Sequence, residues 1–208
     1  MPERIDELYK LQKKDISRAG EVLGDAFQHD PIWKEVFKGE PRDSKKRNAS
    51  FEIPVRYCMK YGEAYATSEN LEGVAAWIPG NLADMTFPRI IRSGSLGSAL
   101  KMGARLAAKM KPAFMPIQRD RHEHMKEKSY MYLQIVGVAL KLQGCGFGGR
   151  LLRALIEKCE KTGLPIYLET ETEKNVAMYE RFGFTMVKQI VVPELNLPMW
   201  EMIRDPVV

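Results

Sequence analysis

The sequence predicts an α/β fold in which a mixed β-sheet is flanked by helices. Short apolar runs rich in β-branched and aromatic residues alternate with longer segments whose apolar residues recur every three or four positions. Within residues 130–150, an apolar run is followed by four glycines in six positions and then by helical periodicity. The length of 208 residues and the 45% hydrophobic share suffice for one core, which predicts a single domain over residues 1–208.

An edge strand and two helices are predicted near the start of the chain. Residues 4–11 alternate loosely between polar and apolar side chains, as in an edge strand. Apolar residues at helical spacing predict a helix over residues 14–27. Asp30-Pro31 then ends this helix or begins a second, which carries Trp33 and Phe37 on one face.

A longer helix and a pair of strands are predicted next. The helix opens at Ser44 and ends at Gly62, and Pro54 inside it predicts a kink or a restart. The apolar runs 64–67 and 74–79 predict two strands joined by a polar turn.

A helical insert over about residues 85–128 is predicted to separate this strand pair from the central strand. Residues 87–117 form a basic amphipathic pattern, which can lie on a membrane but more often packs against a core, and we favour packing. Pro112 and Pro116 are predicted to break the helix. The charged residues 119–128 are predicted to be an exposed loop.

The segment with the clearest chemistry is a strand, a glycine loop and a helix. Met131 to Leu140 is predicted to be a buried strand, and apolar spacing after the glycines predicts a helix that ends near Thr162-Gly163. Glycines let the backbone approach a ligand, and the first turn of a helix offers unpaired N–H groups to an anion. A glycine-rich turn that only connects two elements is the alternative.

Three kinds of phosphate loop compete for this segment. A Walker loop requires Gly-Lys-Ser/Thr, whereas this loop ends Gly-Gly-Arg-Leu. Gly144, Gly146 and Gly149 match the dinucleotide pattern, with Glu169 at a suitable distance, but too few residues follow for a Rossmann domain. The run from Gln143 to Gly148 fits Gln/Arg-x-x-Gly-x-Gly/Ala. With its flanking strand and helix, it resembles the acyl-coenzyme A loop of the GNAT acyltransferase superfamily.

A second motif at the expected distance strengthens this resemblance. A GNAT protein has, after its next strand, a short helix with Asn, a small residue, Tyr and then Gly-Phe. Here these residues are Asn175, Ala177, Tyr179 and Gly183-Phe184. Asn175 and Tyr179 are four apart and would share a helix face. Alternatively, Tyr179 is a core tyrosine and Gly183 a helix C-cap.

The resemblance implies a fold and a cofactor site. The fold would be a mixed sheet of about six or seven strands, splayed where acetyl-coenzyme A (acetyl-CoA) binds. Backbone groups of the central strand would bind the pantetheine arm like an added strand, the loop N–H groups would hold the pyrophosphate, and the short helix would contact the pantetheine or adenine end. The residues implied are, in that order, Val136, Gly137 and Val138; Gln143, Gly144, Cys145, Gly146, Phe147, Gly148 and Gly149; and Asn175.

The resemblance also implies transfer of an acetyl group to a primary amine. Tyr179 would be the general acid that protonates the leaving thiolate. Glu169, or else Glu171 or a water chain, would remove the proton of the amine, although both carboxylates also fit a solvated strand end. Trp33 and Phe37 would border the acceptor groove or, alternatively, belong to the core.

More of the chain is similar to the branch of this superfamily around puromycin N-acetyltransferase. The similar pieces are Ala26-Phe27 with Asp30-Pro31-Ile32-Trp33, the run from Gly73 to Pro79, the helical insert, and Leu168-Glu169-Thr170 with Asn175. The chain departs from that branch before the central strand, where Lys128-Ser129-Tyr130 replaces a frequent His, and at Leu140, which replaces a frequent Pro.

Composition and charge limit the classes of ligand and partner that we expect for this protein. The net charge of +5 suits an anionic ligand such as coenzyme A, and its scatter along the chain argues against nucleic acid. No apolar run is long enough for a membrane helix. Three scattered cysteines and three histidines predict no metal site and a reducing, cytoplasmic location.

Several points stay open at the level of sequence. The acceptor is a small-molecule or peptide amine of unidentified structure, and a homodimer is compatible with the sequence. Two other classes of function remain: a non-catalytic sensor of acyl-coenzyme A and, with less support, a nucleotide-dependent oxidoreductase. The sensor would keep the loop but lack acceptor chemistry, and the presence of Tyr179 argues against it.

Overall fold

A computed structural model describes residues 4–40 and 44–207 and shows an α/β fold with one seven-stranded sheet. The helices are α1 (Ile16–Ala26), α2 (Pro31–Val36), α3 (Ser44–Tyr61), α4 (Phe87–Arg92), α5 (Leu96–Met102), α6 (Ala104–His124), α7 (Phe147–Thr162) and α8 (Glu173–Glu180). The strands are β1 (Tyr9–Lys10), β2 (Glu63–Ala66), β3 (Gly73–Pro79), β4 (Met131–Val138), β5 (Ile166–Thr170), β6 (Thr185–Val192) and β7 (Leu197–Arg204).

The strand order is β1-β2-β3-β4-β5-β7-β6. Neighbouring strands are antiparallel except for the central pair, β4 and β5, which is parallel. A parallel pair needs a crossover, and here α7 supplies it. The predicted mixed sheet with flanking helices is confirmed.

A β-bulge shapes the central strand. Along β3 and β4, Ala76 pairs with Ile135 and Trp77 pairs with Leu133, so that Gln134 is the extra residue. One extra residue reverses which side chains face each side of the sheet. Leu133 therefore packs with α7 on one face, whereas Ile135 packs on the other face with α1 and α3.

The two faces of the sheet carry separate apolar cores. Helices α1 and α3 and the insert helices cover one face, and α7, Tyr179 and Phe184 cover the other. On the first face α1 lies very close to β4. A Cβ atom at Gly137 would lie 2.9 Å from Leu23 Cδ2 and 3.0 Å from Ala26 Cβ. Glycine at this position therefore lets the helix pack onto the strand that forms the site.

Two of the predictions for the insert are wrong. Helix α6 continues through Pro112 and Pro116, and it includes most of the segment predicted to be an exposed loop. Each proline removes one helix N–H donor, but α6 also packs against α2, α5 and β6, and this tertiary packing outweighs the local cost. As a result Asp120 and Arg121 are buried, with exposures of 9% and 4%.

Two smaller differences concern the N-terminal half. The predicted edge strand over residues 4–11 is reduced to the two residues of β1, which follow a turn of 3₁₀ helix at Ile5–Glu7. Helix α3 includes Pro54 without a restart. In the part of the chain that the structure describes, no helix combines the length and apolar character needed to span a bilayer.

Candidate active site

A cavity opens where the central parallel strands separate. Strands β4 and β5 pair only at Met131 with Ile166 and at Tyr132 with Tyr167. Beyond these two pairs, the edge of β4 that faces β5 has no partner strand up to Val138 in the part of the chain that the structure describes. A mostly apolar cavity of about 460 Å³ lies in the gap, bordered by β4, β5, α8 and the helices of the insert.

The glycine loop follows β4 and leads into α7. Gly144 and Gly146 have φ values of +84° and +88°, which favour glycine over other residues. Nothing lies within 4 Å of a Cβ built on either residue, and the loop from Gln143 to Gly146 is exposed. Helix α7 starts at Phe147 without a side-chain cap. Its first N–H groups have no partner within the helix and can bind an anion.

Two side-chain contacts anchor this loop to the rest of the site. The backbone N–H of Leu140 donates a 2.7 Å hydrogen bond to Asp25 Oδ2 on α1. The side-chain amide of Gln143 donates to the carbonyl oxygen of Val138 at 3.2 Å. These hydrogen bonds therefore fix Leu140, which leads into the predicted ligand-binding loop, and Gln143, the first residue of that loop.

Helix α8 brings Tyr179 to the cavity. The hydroxyl of Thr172 caps the helix by accepting a 3.2 Å hydrogen bond from the N–H of Asn175. Tyr179 is 6% exposed and meets the Phe184 ring edge-on at 5.5 Å between centroids. Burial, and next the charge of Glu171, raise the pKa of the Tyr179 phenol above its ordinary value. The phenol is thus held in its protonated form.

Glu169 lies in a hydrogen-bonded network. Its Oε2 accepts a 2.7 Å hydrogen bond from the Tyr132 hydroxyl, and its Oε1 lies 3.4 Å from the guanidinium of Arg121. Arg121 also pairs with Asp84 at 2.8 Å and covers the Tyr132 ring at 4.5 Å. Burial raises the pKa of Glu169, and the Arg121 charge opposes this shift. Both carboxylate oxygens therefore have partners.

Glu171 faces the carboxyl group of Asp30. Burial, and next the negative charge of Asp30, raise the pKa of Glu171 well above its ordinary value. Burial also raises the pKa of Asp30, whose Oδ1 caps α2 by accepting a 3.0 Å hydrogen bond from the N–H of Trp33. Two buried carboxyl groups that interact with each other favour a state in which they share one proton. We call Asp30 and Glu171 the carboxyl pair.

The predicted site residues fall into three groups. Five line the cavity, namely Trp33, Val136, Glu169, Asn175 and Tyr179. Val138 and the loop residues from Gln143 to Gly149 do not line the cavity but follow its β4 wall along the chain, and Gly137 is buried beneath α1. Phe37 is not a lining residue; its ring stacks on Trp33 with centroids 5.5 Å apart.

Sequence reasoning missed Asp30, Asp84, Arg121 and Tyr132 as members of the site. Arg121 had a usable signal, because the inward stripe of Ala113 and Ile117 reaches Arg121 after four more residues. The predicted break at Pro116 concealed it. The sequence marks Asp30 as a helix boundary and as part of the run Asp30-Pro31-Ile32-Trp33, but no local pattern connects it to Glu171.

A second polar cluster lies beside the network. Asp120, His124 and Glu201 each place one potential ligand atom within 4.8 Å of the others, which is the only such group of three found within residues 4–40 and 44–207. Glu201 is directly opposite Glu169 on the neighbouring strand and bonds to His124. The Lys188 ammonium bonds to Asp120 at 2.9 Å and would compete with a cation for that carboxylate.

Comparisons with known proteins agree with this geometry. The model of the Acetyltransferase (GNAT) family matches residues 113–184. An uncharacterized N-acetyltransferase of Schizosaccharomyces pombe is 31% identical over 205 residues, which cover 95% of this chain and 82% of that protein.

Solved structures share the fold at lower identity. A structure described as histone acetyltransferase HPA2 and related acetyltransferase, from Corynebacterium glutamicum, is 23% identical with a TM-score of 0.64, covering 97% of this chain and 96% of that one. A putative arylalkylamine N-acetyltransferase 7 of the yellow fever mosquito is 16% identical with a TM-score of 0.66, covering 94% and 85%. Together with the confirmed sheet, the fission yeast relative shows that this chain belongs to the GNAT family of acetyltransferases.

Proposed function

We propose that the protein transfers an acetyl group from acetyl-CoA to the primary amine of a small molecule or peptide. The observation that carries the proposal is the edge of β4 beyond Tyr132, which has no partner strand among the described residues and lines the cavity with Tyr179. The chain runs from this edge into the open glycine loop, and the edge and the loop together form the proposed binding path. An extended ligand with phosphates at one end and a reactive carbonyl at the other fits such a path.

Each part of the path has a role in binding acetyl-CoA. The N–H groups from Gln143 to Gly149 would hold the pyrophosphate. The backbone of Val136, Gly137 and Val138 would pair with the pantetheine arm, and Asn175 would contact it from α8. Bound acetyl-CoA supplies the acetyl thioester. An N–H group of the β4 edge would donate to the thioester carbonyl oxygen, where negative charge develops during attack.

Tyr179 is proposed as the general acid. The amine nitrogen forms a bond to the acetyl carbon, the carbon–sulfur bond breaks, and the phenol proton passes to the sulfur. The raised pKa of Tyr179 keeps the phenol protonated at neutral pH. A phenol is a weaker acid than a thiol, so proton transfer has to accompany cleavage of the carbon–sulfur bond.

For the base, we propose the carboxyl pair in preference to Glu169. A base has to accept the amine proton directly or through one water. Both oxygens of Glu169 are engaged by Tyr132 and Arg121, which suits it to position Arg121. Glu171 lines the cavity together with Tyr179, and its raised pKa brings it closer to that of an effective base at neutral pH. A water chain to the pair would serve equally.

Further proposals concern the chain as a whole. We propose that the chain forms a single domain, in which the insert of α4, α5 and α6 covers the acceptor side of the cavity. We also propose that the chain belongs to the puromycin N-acetyltransferase-like branch, which is supported by the run Asp30-Pro31-Ile32-Trp33 at the site. The three cysteines are free, which supports a cytoplasmic location.

Ligand-induced stabilisation and thiol release test the activity. Acetyl-CoA should raise the Tm of the protein, NADH should not, and coenzyme A should be released when a suitable amine is added. Stabilisation without thiol release across small amines, polyamines and peptide amines would favour the sensor. Absence of stabilisation by acetyl-CoA would contradict the proposed function, and stabilisation by NADH would favour an oxidoreductase.

A further inference from the structure

The walls of the cavity on the acceptor side are aromatic and methionine-rich. Trp33 packs against Phe37, Phe51 and Phe114, with ring centroids 4.4 to 5.6 Å apart. Trp33 and Phe114 line the cavity together with methionines from the insert and from β7, namely Met85, Met102, Met110, Met115 and Met199. Unbranched, polarisable methionine side chains adapt to a bulky apolar group.

Negative charge is concentrated at the catalytic end. The positive charge of Arg121 is balanced by Glu169 and Asp84, and Asp84 also bonds to His122. Lys34 is the cation that acts on Asp30, but its side chain is exposed to solvent, whereas Glu171 lines the cavity itself. The carboxyl pair retains one negative charge when its two members share a proton. An ammonium group can therefore bind at the carboxyl pair, close to Tyr179.

Among the described residues, the far wall has no matching acid. The polar side chains that the insert contributes beyond Arg121 and Asp84 are Lys111 and Gln118, and Lys111 repels a cation. A second ammonium placed there would lose water without gaining an ion-pair partner, which is costly. An apolar group placed there would instead bury its surface favourably.

We infer that the acceptor is a monoamine whose single ammonium is joined by a short linker to an aromatic or similarly bulky apolar body. This inference rests on the proposed acetyl transfer and specifies the substrate class of the same cavity. The ammonium binds at the carboxyl pair, and the apolar body lies between Trp33, Phe114 and the methionines of the insert.

Matched amines test this assignment with acetyl-CoA as the donor. We expect kcat/KM for phenethylamine and tryptamine to exceed that for ethylamine, which lacks the ring, and for putrescine, which ends in a second ammonium, by at least about ten-fold. Equal or higher kcat/KM for ethylamine, putrescine or a lysine peptide would overturn the inference and leave the acetyl transfer intact. Thiol release with none of these amines would overturn both.

An apolar cavity could also hold a long acyl chain, so the donor is varied too. With phenethylamine as acceptor, acetyl-CoA should give a higher kcat/KM than octanoyl-CoA. A preference for octanoyl-CoA would assign the apolar walls to the donor and overturn the inference.

Variants connect the preference to the cavity walls. Phe114→Gln should reduce kcat/KM for phenethylamine about ten-fold while changing that for ethylamine less than two-fold. Met115→Gln, at a lining side chain that is 52% exposed, should act in the same direction with little risk to folding. Met186→Gln on β6, 53% exposed and outside the cavity, is the matched control. Equal effects on both amines from the two cavity variants would contradict the assignment.

Discussion

At the scale of single residues, the acid and the base of the proposed reaction lie within one small volume. Tyr179 and Glu171 both line the cavity, and the charge of Glu171 acts on the Tyr179 phenol. The charge of Glu171 raises the proton affinity of the phenol, because removing the phenol proton would add a second negative charge to a buried site. The reaction moves one proton onto the carboxyl pair and another away from Tyr179, so the charge there changes little overall.

Removing the phenol oxygen tests the acid. Tyr179→Phe should lower kcat by about 10²-fold or more, since general acid–base catalysis typically contributes 10²- to 10⁴-fold. The Kd for acetyl-CoA, measured by calorimetry, should change little because the ring still packs against Phe184. Wild-type turnover in this variant would end the assignment.

The carboxyl pair is tested by its pH dependence. Below its raised pKa the pair is fully protonated and cannot accept a proton, so kcat/KM should rise with pH. In the wild type, kcat/KM should fall at low pH, which we call the acidic limb, and this fall should occur at the same pH for two amines of different pKa. In Glu171→Gln, kcat/KM should fall about 10²-fold. Any pH dependence that remains should shift with the pKa of the amine.

Glu169→Gln is the matched control for that experiment, because it makes the same chemical change two residues earlier, inside β5, whereas Glu171 directly follows this strand. We expect this variant to keep an acidic limb whose pH does not depend on the amine. The substitution should also weaken the contacts to Arg121 and Tyr132. If Glu169→Gln removed the limb and Glu171→Gln kept it, the base would be Glu169.

At the scale of elements, the strand–loop–helix segment and α8 could be predicted from sequence, and the role of α6 could not. The glycines with positive φ, the start of α7 and the cap of α8 each depend on residues within a few positions of one another. Helix α6 depends on contacts with α2, α5 and β6, which lie far away in the chain. Local sequence therefore predicts helix breaks at Pro112 and Pro116 that do not occur. Because of these breaks, buried Arg121 is absent from the predicted site.

Gly146 offers a test of the loop. Its φ of +88° costs a residue with a Cβ about 1–2 kcal/mol, so Gly146→Ala should weaken acetyl-CoA binding roughly 5- to 30-fold. No atom lies within 4 Å of the new Cβ, so a steric clash would not explain the loss. Gly97→Ala in α5, equally free of neighbours, should leave acetyl-CoA affinity unchanged and raise stability by up to about 1 kcal/mol. Equal affinity losses in both variants would contradict a role for the loop conformation.

At the scale of the whole molecule, charged contacts connect α6 to three neighbouring strands in one half of the sheet. Its Arg121 bonds to Glu169 on β5, its His124 bonds to Glu201 on β7, and its Asp120 bonds to Lys188 on β6. These long-range pairs cannot be predicted from the sequence, since no local periodicity encodes which charge meets which. The bulge at Gln134 was missed for the same reason, because it is defined only by the register with β3.

Glu201 makes the stability of this arrangement depend on pH. Burial, opposed by hydrogen bonds from Tyr167 and His124, raises the pKa of its carboxyl group from 4.5 to about 7. A folded state that holds its proton more tightly than the unfolded state loses stability as pH rises between these values. Wild-type Tm should therefore fall between about pH 4.5 and pH 7 relative to Glu201→Gln.

The control for that comparison is Glu123→Gln, an exposed position near the end of α6. Its Tm should parallel that of the wild type across the same range. If the difference between wild type and Glu201→Gln were constant with pH, Glu201 would not titrate differently in the folded and unfolded states.

The short contact between β4 and β5 has a mechanical consequence. Only two residue pairs join β4 to β5, so the sheet consists of two groups of paired strands, β1–β4 and β5–β7, that meet along a narrow gap, which we call the seam. Amides of β4 that point into the seam beyond Tyr132 have no strand to shield them, so they should take up deuterium faster than those bonded to β3. A bound pantetheine arm would close the seam and slow that uptake, which makes hydrogen exchange a direct readout of occupancy.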